Sequence, residues 1–298
     1  MQAIEREQLD SGSMQADPLR PAEKLGLMAR KRTDAIFLSP HRVNSDLDIA
    51  RTGREPRDTA VRAALVSATH LLVQRASLEL DIAPEEFEIL EPRTLMGRPL
   101  IQFADFLVNG AGFARRLVDG QPPLVIELTR SMVHSPLSDP LVNSFFDPAH
   151  QRDCAHSCYA CLQRYGNRSY HGLLDWRLGL AMLRTFVSPD SVIGLDGNWA
   201  AIPELSDWPT QARAAAKGIA ELHPDRYHVL PEDSGQMPVI ASTQDRIRWI
   251  LVHPFWRHDA VARSLQPWSG QTLLIDTFQA MRRPQRALRN AIFLDSHS

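Results

Sequence analysis

His150-Gln-Arg-Asp-Cys154-Ala-His156-Ser-Cys158-Tyr159-Ala-Cys161-Leu-Gln-Arg164-Tyr165-Gly-Asn167-Arg168-Ser-Tyr170-His171-Gly-Leu-Leu-Asp175-Trp176 decides how the chain is read, because it holds all of its cysteines. Cys154, Cys158 and Cys161 stand at Cys-x3-Cys-x2-Cys spacing. Two thiolates two residues apart can sit on a tight turn and point at one ion about 2.3 Å away. A third thiolate from the preceding turn and one imidazole complete a tetrahedron, the closed geometry of a structural zinc site. The reading predicts one structural Zn2+ held by Cys154, Cys158, Cys161 and His171, with His150 and His156 as rivals for the fourth place. His171 is preferred because it stands where an apolar helical pattern begins and can turn back to the cysteines. Asp175 lies one helical turn further and is placed to accept the other ring N–H of that histidine. The polar neighbours Asp153, His156, Ser157 and Arg164 speak against three ordinary core thiols. Nothing in the sequence points to the secretion that would favour a disulfide.

A second cluster lies upstream, at Asp105-Phe-Leu-Val-Asn109-Gly110-Ala-Gly112-Phe113. Together with Cys158-Tyr-Ala-Cys161-Leu, Tyr165-Gly-Asn167 and His171-Gly-Leu-Leu-Asp175-Trp176, it resembles the MrfA-type zinc-binding (MZB) domain family. Members occur at the C-terminus of superfamily-two DNA helicases and in the DISARM anti-phage protein DrmB. The resemblance spans residues 30 to 187. The helicase branch uses four cysteines where this chain has three, which turns the search for the fourth ligand to histidine. The resemblance implies a zinc-bearing helicase-accessory domain, a superfamily-two helicase or translocase as partner, DNA as the shared substrate, and a role in anti-phage defence or DNA repair.

Composition sets the remaining bounds. A chain of 298 residues with 44% hydrophobic content can bury a sizeable core. Its net charge of −2 exerts no global pull on nucleic acid. The basic residues are arginine except for Lys24, Lys31 and Lys217, and arginine's planar fork clamps phosphate or carboxylate bidentately. No run of 18 apolar residues and no signal-peptide pattern occurs, so a cytoplasmic protein that does not cross a membrane is expected.

Periodicity predicts an α+β (mixed α/β) fold in which a zinc-knot-containing accessory domain, 31–190, follows a flexible arm, 1–30. A smaller α/β module, 198–298, comes after it. A buried strand is expected at Thr33–Ser39 and a helix over Asp58–Leu80, apolar at Val61, Leu65, Ala68, Leu72 and Ala76. That pattern leaves Arg57, Arg62 and Arg75 toward solvent. Strands are expected at Phe87–Glu91 and Leu100–Asp105 around a turn at Gly97 and Pro99. The glycines that follow are expected to serve helix packing rather than phosphate binding. Leu124–Leu128 is open between strand and helix. Asp147-Pro148 reads as a turn that delivers the chain into the cysteines, and Gly172–Val187 as a buried helix. In the last module a helix at Trp208–Leu222 precedes strands at Tyr227–Leu230, Val239–Ser242, Arg248–His253 and Thr272–Asp276, with a basic tail helix beyond.

No Gly-x4-Gly-Lys-[Ser/Thr], Gly-x-Ser-x-Gly or His-Glu-x-x-His occurs in the sequence, so motor, serine-hydrolase and zinc-protease chemistry lack their motifs. The reading is a non-catalytic accessory protein. Arg164, Arg168, Arg282 and Arg283 are its candidate contacts to nucleic acid or partner, each weighed against a merely solvated face. The alternative is a metal-dependent nuclease using Asp233, Asp245 and Asp276. A third reading, prompted by the abrupt polar start, is a remnant of a longer gene.

Overall fold

The computed structural model describes residues 31–53, 55–231, 237–265 and 268–294; the expected arm at 1–30 lies outside them. The fold is α+β, with helices around two sheets. Its first sheet runs β1 (Ala35–Leu38), β4 (Arg98–Asp105), β2 (Phe87–Ile89), with β3 (Arg93–Leu95) also paired to β4, all antiparallel. Only Ile36 of β1 is buried, so this strand is a sheet edge and not the buried strand that its composition suggests. Met96 and Gly97 turn β3 into β4 with φ of 49° and 72°, the double left-handed step of a tight hairpin.

Helix α1 (Thr59–Leu80) is the central column, buried over most of its length and circumference. It ends at Asp81, which takes left-handed backbone (φ 55°), while Ile82 N–H returns to Ser77 O at 3.0 Å. Such a reversal satisfies the last carbonyls of a helix. Arg75, expected toward solvent, is buried instead: its Nε donates to Asp139 Oδ2 at 2.9 Å and its Nη1 to Glu79 Oε2 at 2.9 Å. Asp139 is a partner 64 residues away, which is why period alone misplaces the arginine.

Beyond β4, Asn109, Gly110 and Gly112 take φ of 70°, 79° and 82°. The turn they form wraps the buried Asp105 carboxylate, whose Oδ2 accepts Ala111, Gly112 and Phe113 N–H and whose Oδ1 accepts Ala114 N–H, at 2.8 to 3.2 Å. The N–H groups that open α2 (Phe113–Val118) are therefore satisfied within the chain, in line with a packing role for this glycine turn. Leu124–His134 forms α3, which settles that segment as helix.

After α4 (Pro148–Asp153) and the cysteines, α5 (Trp176–Val187) crosses α1 closely. At Gly179 a Cβ would meet Leu71 Cδ1 at 2.8 Å, Ser67 Cβ at 3.0 Å and the Ser67 carbonyl carbon at 3.1 Å. Ser67 Oγ also accepts Asp175 N–H at 2.8 Å, pinning the start of α5 to α1. Arg184 of α5 makes a buried two-pronged pair with Glu204, at 2.6 and 2.8 Å.

The second sheet has the order β5 (Tyr227–Val229), β6 (Val239–Ser242), β7 (Ile247–Val252), β8 (Gln271–Asp276), β9 (Ile292–Phe293). It lies against α6 (Trp208–Glu221). β7 and β8 are parallel, so the chain must cross over between them; α7 (His258–Ser264) lies in that connection and goes unread in the sequence. The basic tail is two short helices, α8 (Thr277–Arg282) and α9 (Pro284–Arg289), broken at Pro284.

The described residues from Thr33 onward pack as one unit. The expected division between 190 and 198 is crossed by Arg177 Nη2 donating to Asp207 Oδ2 at 2.7 Å, by Asp48 N–H donating to Phe255 O at 2.7 Å, and by Arg282 reaching Leu174 O at 3.0 Å.

Two outcomes follow in urea unfolding. Gly179→Ala gains about 1 kcal/mol of helix propensity but overpacks the crossing by about 1–3 kcal/mol, so the variant is less stable than wild type. Asp105→Ala strands four N–H groups and loses about 3 kcal/mol, and Asp105→Asn, which keeps one acceptor oxygen, loses less.

Candidate metal centre

The site begins with a helix start. Asp147 Oδ1 accepts Ala149 N–H at 2.7 Å and Pro148 occupies the first helical position, so α4 begins there. One turn later Cys154 N–H donates to His150 O at 2.8 Å. That spacing sets His150 and Cys154 on one side of the helix end. The chain then doubles back through Cys158 and Cys161, with Cys161 N–H on Cys158 O at 3.1 Å and Cys158 N–H on Cys161 Sγ at 3.1 Å.

His150, Cys154, Cys158 and Cys161 bring their ligand atoms within 4.8 Å of one another, a group that can hold a metal ion. Sulfur bonds of about 2.3 Å and nitrogen bonds of about 2.0 Å in a tetrahedron require S···S edges of about 3.8 Å and N···S edges of about 3.5 Å. The observed Cys154–Cys161 and Cys158–Cys161 separations are both 3.8 Å, and Cys158 Sγ lies 3.5 Å from His150 Nε2. The donor set and these three edges are compatible with one tetrahedral ion.

His150 is prepared for this role. Its Nδ1 lies 3.0 Å from the Phe145 carbonyl, which can only accept, so the ring proton sits on Nδ1 and Nε2 keeps its lone pair. Phe145 stacks on the ring at 5.7 Å and Trp176 leans on it at 6.0 Å. A hydrogen bond from the Cys154 thiol holds the Cys161 sulfur down to about 5, although burial opposes it. The same bond, helped by burial, pushes the Cys154 thiol up.

His171, the preferred fourth ligand in the sequence, is not in the group. Its Nε2 lies 3.0 Å from Arg164 O and 3.0 Å from Asn167 Oδ1, two acceptors that require this nitrogen to donate. It fastens the loop that follows the cysteines. His156 is also elsewhere, with Nδ1 3.3 Å from Asp175 Oδ2. Asp175, expected to orient His171, instead caps α5 by accepting Leu178 N–H at 3.1 Å and meets Arg282 Nη1 at 3.3 Å. Burial alone would raise its carboxyl, but His156, Arg282 and Leu178 N–H together hold it below the usual carboxylate range.

Of the arginines singled out for contact, only Arg168 and Arg283 keep substantial exposure. Arg164 spends its fork on Gln74 Oε1 at 2.9 Å and on the carbonyls of Gln163 and Tyr159. Arg282 is turned inward to Asp175 and Leu174 O. The acids of the nuclease alternative do not converge among the described residues: Asp245 stands in an exposed turn, Asp276 caps α8 through Gln279 N–H at 2.8 Å, and Asp233 lies outside the described residues. Burial raises the Asp276 carboxyl, and its bonds to Gln279 oppose that rise.

The chain matches no protein-family model, no characterised protein and no solved structure. Among the described residues no helix is long and apolar enough to cross a membrane. The signal that could have found His150 is Asp147-Pro148, a helix start that leaves His150 one turn before Cys154 at the helix end.

The geometry separates the two histidines. His150→Ala removes a ligand and lowers bound metal, read by elemental analysis and by a spectroscopic titration with Co2+. His171→Ala leaves metal content at the wild-type level.

Proposed function

We propose that this chain is a zinc-stabilised, non-catalytic accessory protein that works in the cytoplasm beside a separately encoded superfamily-two helicase or translocase acting on DNA. Its place would be anti-phage defence or DNA repair, as an MrfA-type zinc-binding domain. The observation that carries the reading is the set of three sulfurs and one nitrogen, from Cys154, Cys158, Cys161 and His150, gathered within 4.8 Å with three separations of tetrahedral length. Soft thiolates favour zinc over oxygen-seeking cations, and four protein ligands leave no open position for an activated water, which suits a structural ion. The motif residues around Asp105 and Asp175 support the family reading. In the structure they serve as anchors: Asp105 closes the glycine turn and Asp175 joins α5 to the tail.

Zinc would do more here than decorate a finished fold. Binding to small zinc modules releases about 10–16 kcal/mol, comparable with the whole stability of a domain, about 5–15 kcal/mol. Cys161 is fully buried and packs in the main core, so loss of the ion would leave charged or unpaired sulfurs inside it.

The purified protein is expected to carry one zinc per chain. Replacing Cys158 and Cys161 by serine should abolish zinc binding and lower the Tm by roughly 10 °C or more, since each kcal/mol is worth about 4–8 °C in a small domain and less in a larger one. A serine variant that lacks zinc yet keeps the wild-type Tm overturns the metal reading. The partner reading is tested by co-purification with a helicase encoded beside this chain, and a stable complex that survives DNase treatment is the expected result.

A further inference from the structure

Three of the chain's four tyrosines, Tyr159, Tyr165 and Tyr170, fall on the loop that carries Cys158 and Cys161 and on its continuation. Tyr170 is used internally: its hydroxyl donates to Glu91 Oε1 at 2.7 Å and its ring lies 6.0 Å from that of His70. Tyr159 and Tyr165 are 65% and 80% exposed, large rings held in water where the fold gains nothing from them.

Both rings are nevertheless held in place. The Tyr159 ring meets His171 edge-on at 5.6 Å, and His171 Nε2 donates to the carbonyl of Arg164, the residue before Tyr165. Arg164 Nη1 donates back to Tyr159 O at 3.3 Å. The Arg168 guanidinium lies over the Tyr165 ring at 5.3 Å. One hydrogen-bonded frame, built on His171 and Arg164, thus carries both tyrosines.

Charge narrows the occupant. No Asp or Glu occurs between Asp153 and Asp175, although the chain has 35 acids, while Arg164 and Arg168 lie inside that interval. A divalent ion with three thiolates carries a charge of about −1, which leaves the loop net positive. A protein-docking face calls for a contiguous apolar patch, but the exposed Gly166, Arg168 and Ser169 lie around Tyr165. Separate exposed rings beside a cation are instead the arrangement on which unpaired bases stack. A duplex keeps its base faces covered by its own stacking.

We propose that Tyr159 and Tyr165 form a stacking platform for single-stranded nucleic acid, with Arg168 facing the phosphate backbone. The inference rests on the reading of the chain as a DNA-acting accessory protein and names the form of nucleic acid that it grips.

Fluorescence anisotropy with the full zinc-loaded chain tests this, using labelled oligothymidylate, oligouridylate and a duplex of the same length. The expected result is tighter binding of the single strands than of the duplex. Comparing the first two probes shows whether DNA or RNA is preferred. Tyr159→Ala and Tyr165→Ala should each weaken binding by about fivefold to a hundredfold while zinc content and Tm stay unchanged. Tyr165→Phe keeps the ring and should bind as wild type. Arg168→Gln should lower the slope of log affinity against log salt by about 0.7. A zinc-replete protein that binds no single strand, or whose binding ignores both alanine substitutions, overturns this inference alone. If those substitutions abolish helicase co-purification but spare oligonucleotide binding, the face is a protein dock and the inference is overturned. A wild-type chain without zinc overturns the metal reading as well.

Discussion

Three sulfurs and one imidazole nitrogen gathered within 4.8 Å set the terms for the middle of this chain. Deprotonated together, as metal ligands must be, sulfurs at 3.8 Å repel one another unless a cation stands among them. The stretch from Cys154 to Arg164, which carries all three sulfurs, has only turns and bends with which to resist that repulsion, regular structure returning in the 3-10 helix Tyr165–Tyr170. An ion held there would resolve it and fix the segment. The aromatic rings of Phe145 and Trp176 brace the imidazole from the core side, so ligand placement and core packing support each other.

Much of this is legible in the sequence, and the failures share a cause. Amphipathic or wholly apolar segments such as Thr59–Leu80, Trp208–Glu221 and Val239–Ser242 show their period locally, and the structure has them within a few residues of expectation. The three cysteines stand out from spacing alone. What local pattern cannot show is a partner far along the chain. Arg75 meets Asp139, Arg282 meets Asp175, and β7 pairs in parallel with β8 only after a crossover. His150 is obscured for a different reason: Asp147-Pro148 has the composition of a turn, although the same two residues also start a helix. His171 stands in an attractive place for a ligand, but Arg164 O and Asn167 Oδ1 claim its nitrogen, and neither claim is visible in a linear spacing.

Arginine has a structural role that composition alone would assign to ligand binding. Arg75, Arg177 and Arg184 are buried and pair with Asp139, Asp207 and Glu204. Removing one partner of such a pair leaves an uncompensated charge in the core, which is why these pairs fix how helices and turns meet even where they add little net stability. Arg168, lying over an exposed ring, is the contrasting case.

Asp175 receives Arg282 from the tail and His156 from between two cysteines, while its own backbone N–H is held by Ser67 on the central helix. Three distant stretches of chain thus converge on one carboxylate and its peptide. The cysteine loop is consequently tethered at a junction. Any guest that lands on its outer side meets a surface whose orientational entropy was lost at folding, so capture need not be slowed or weakened by a search for the right pose.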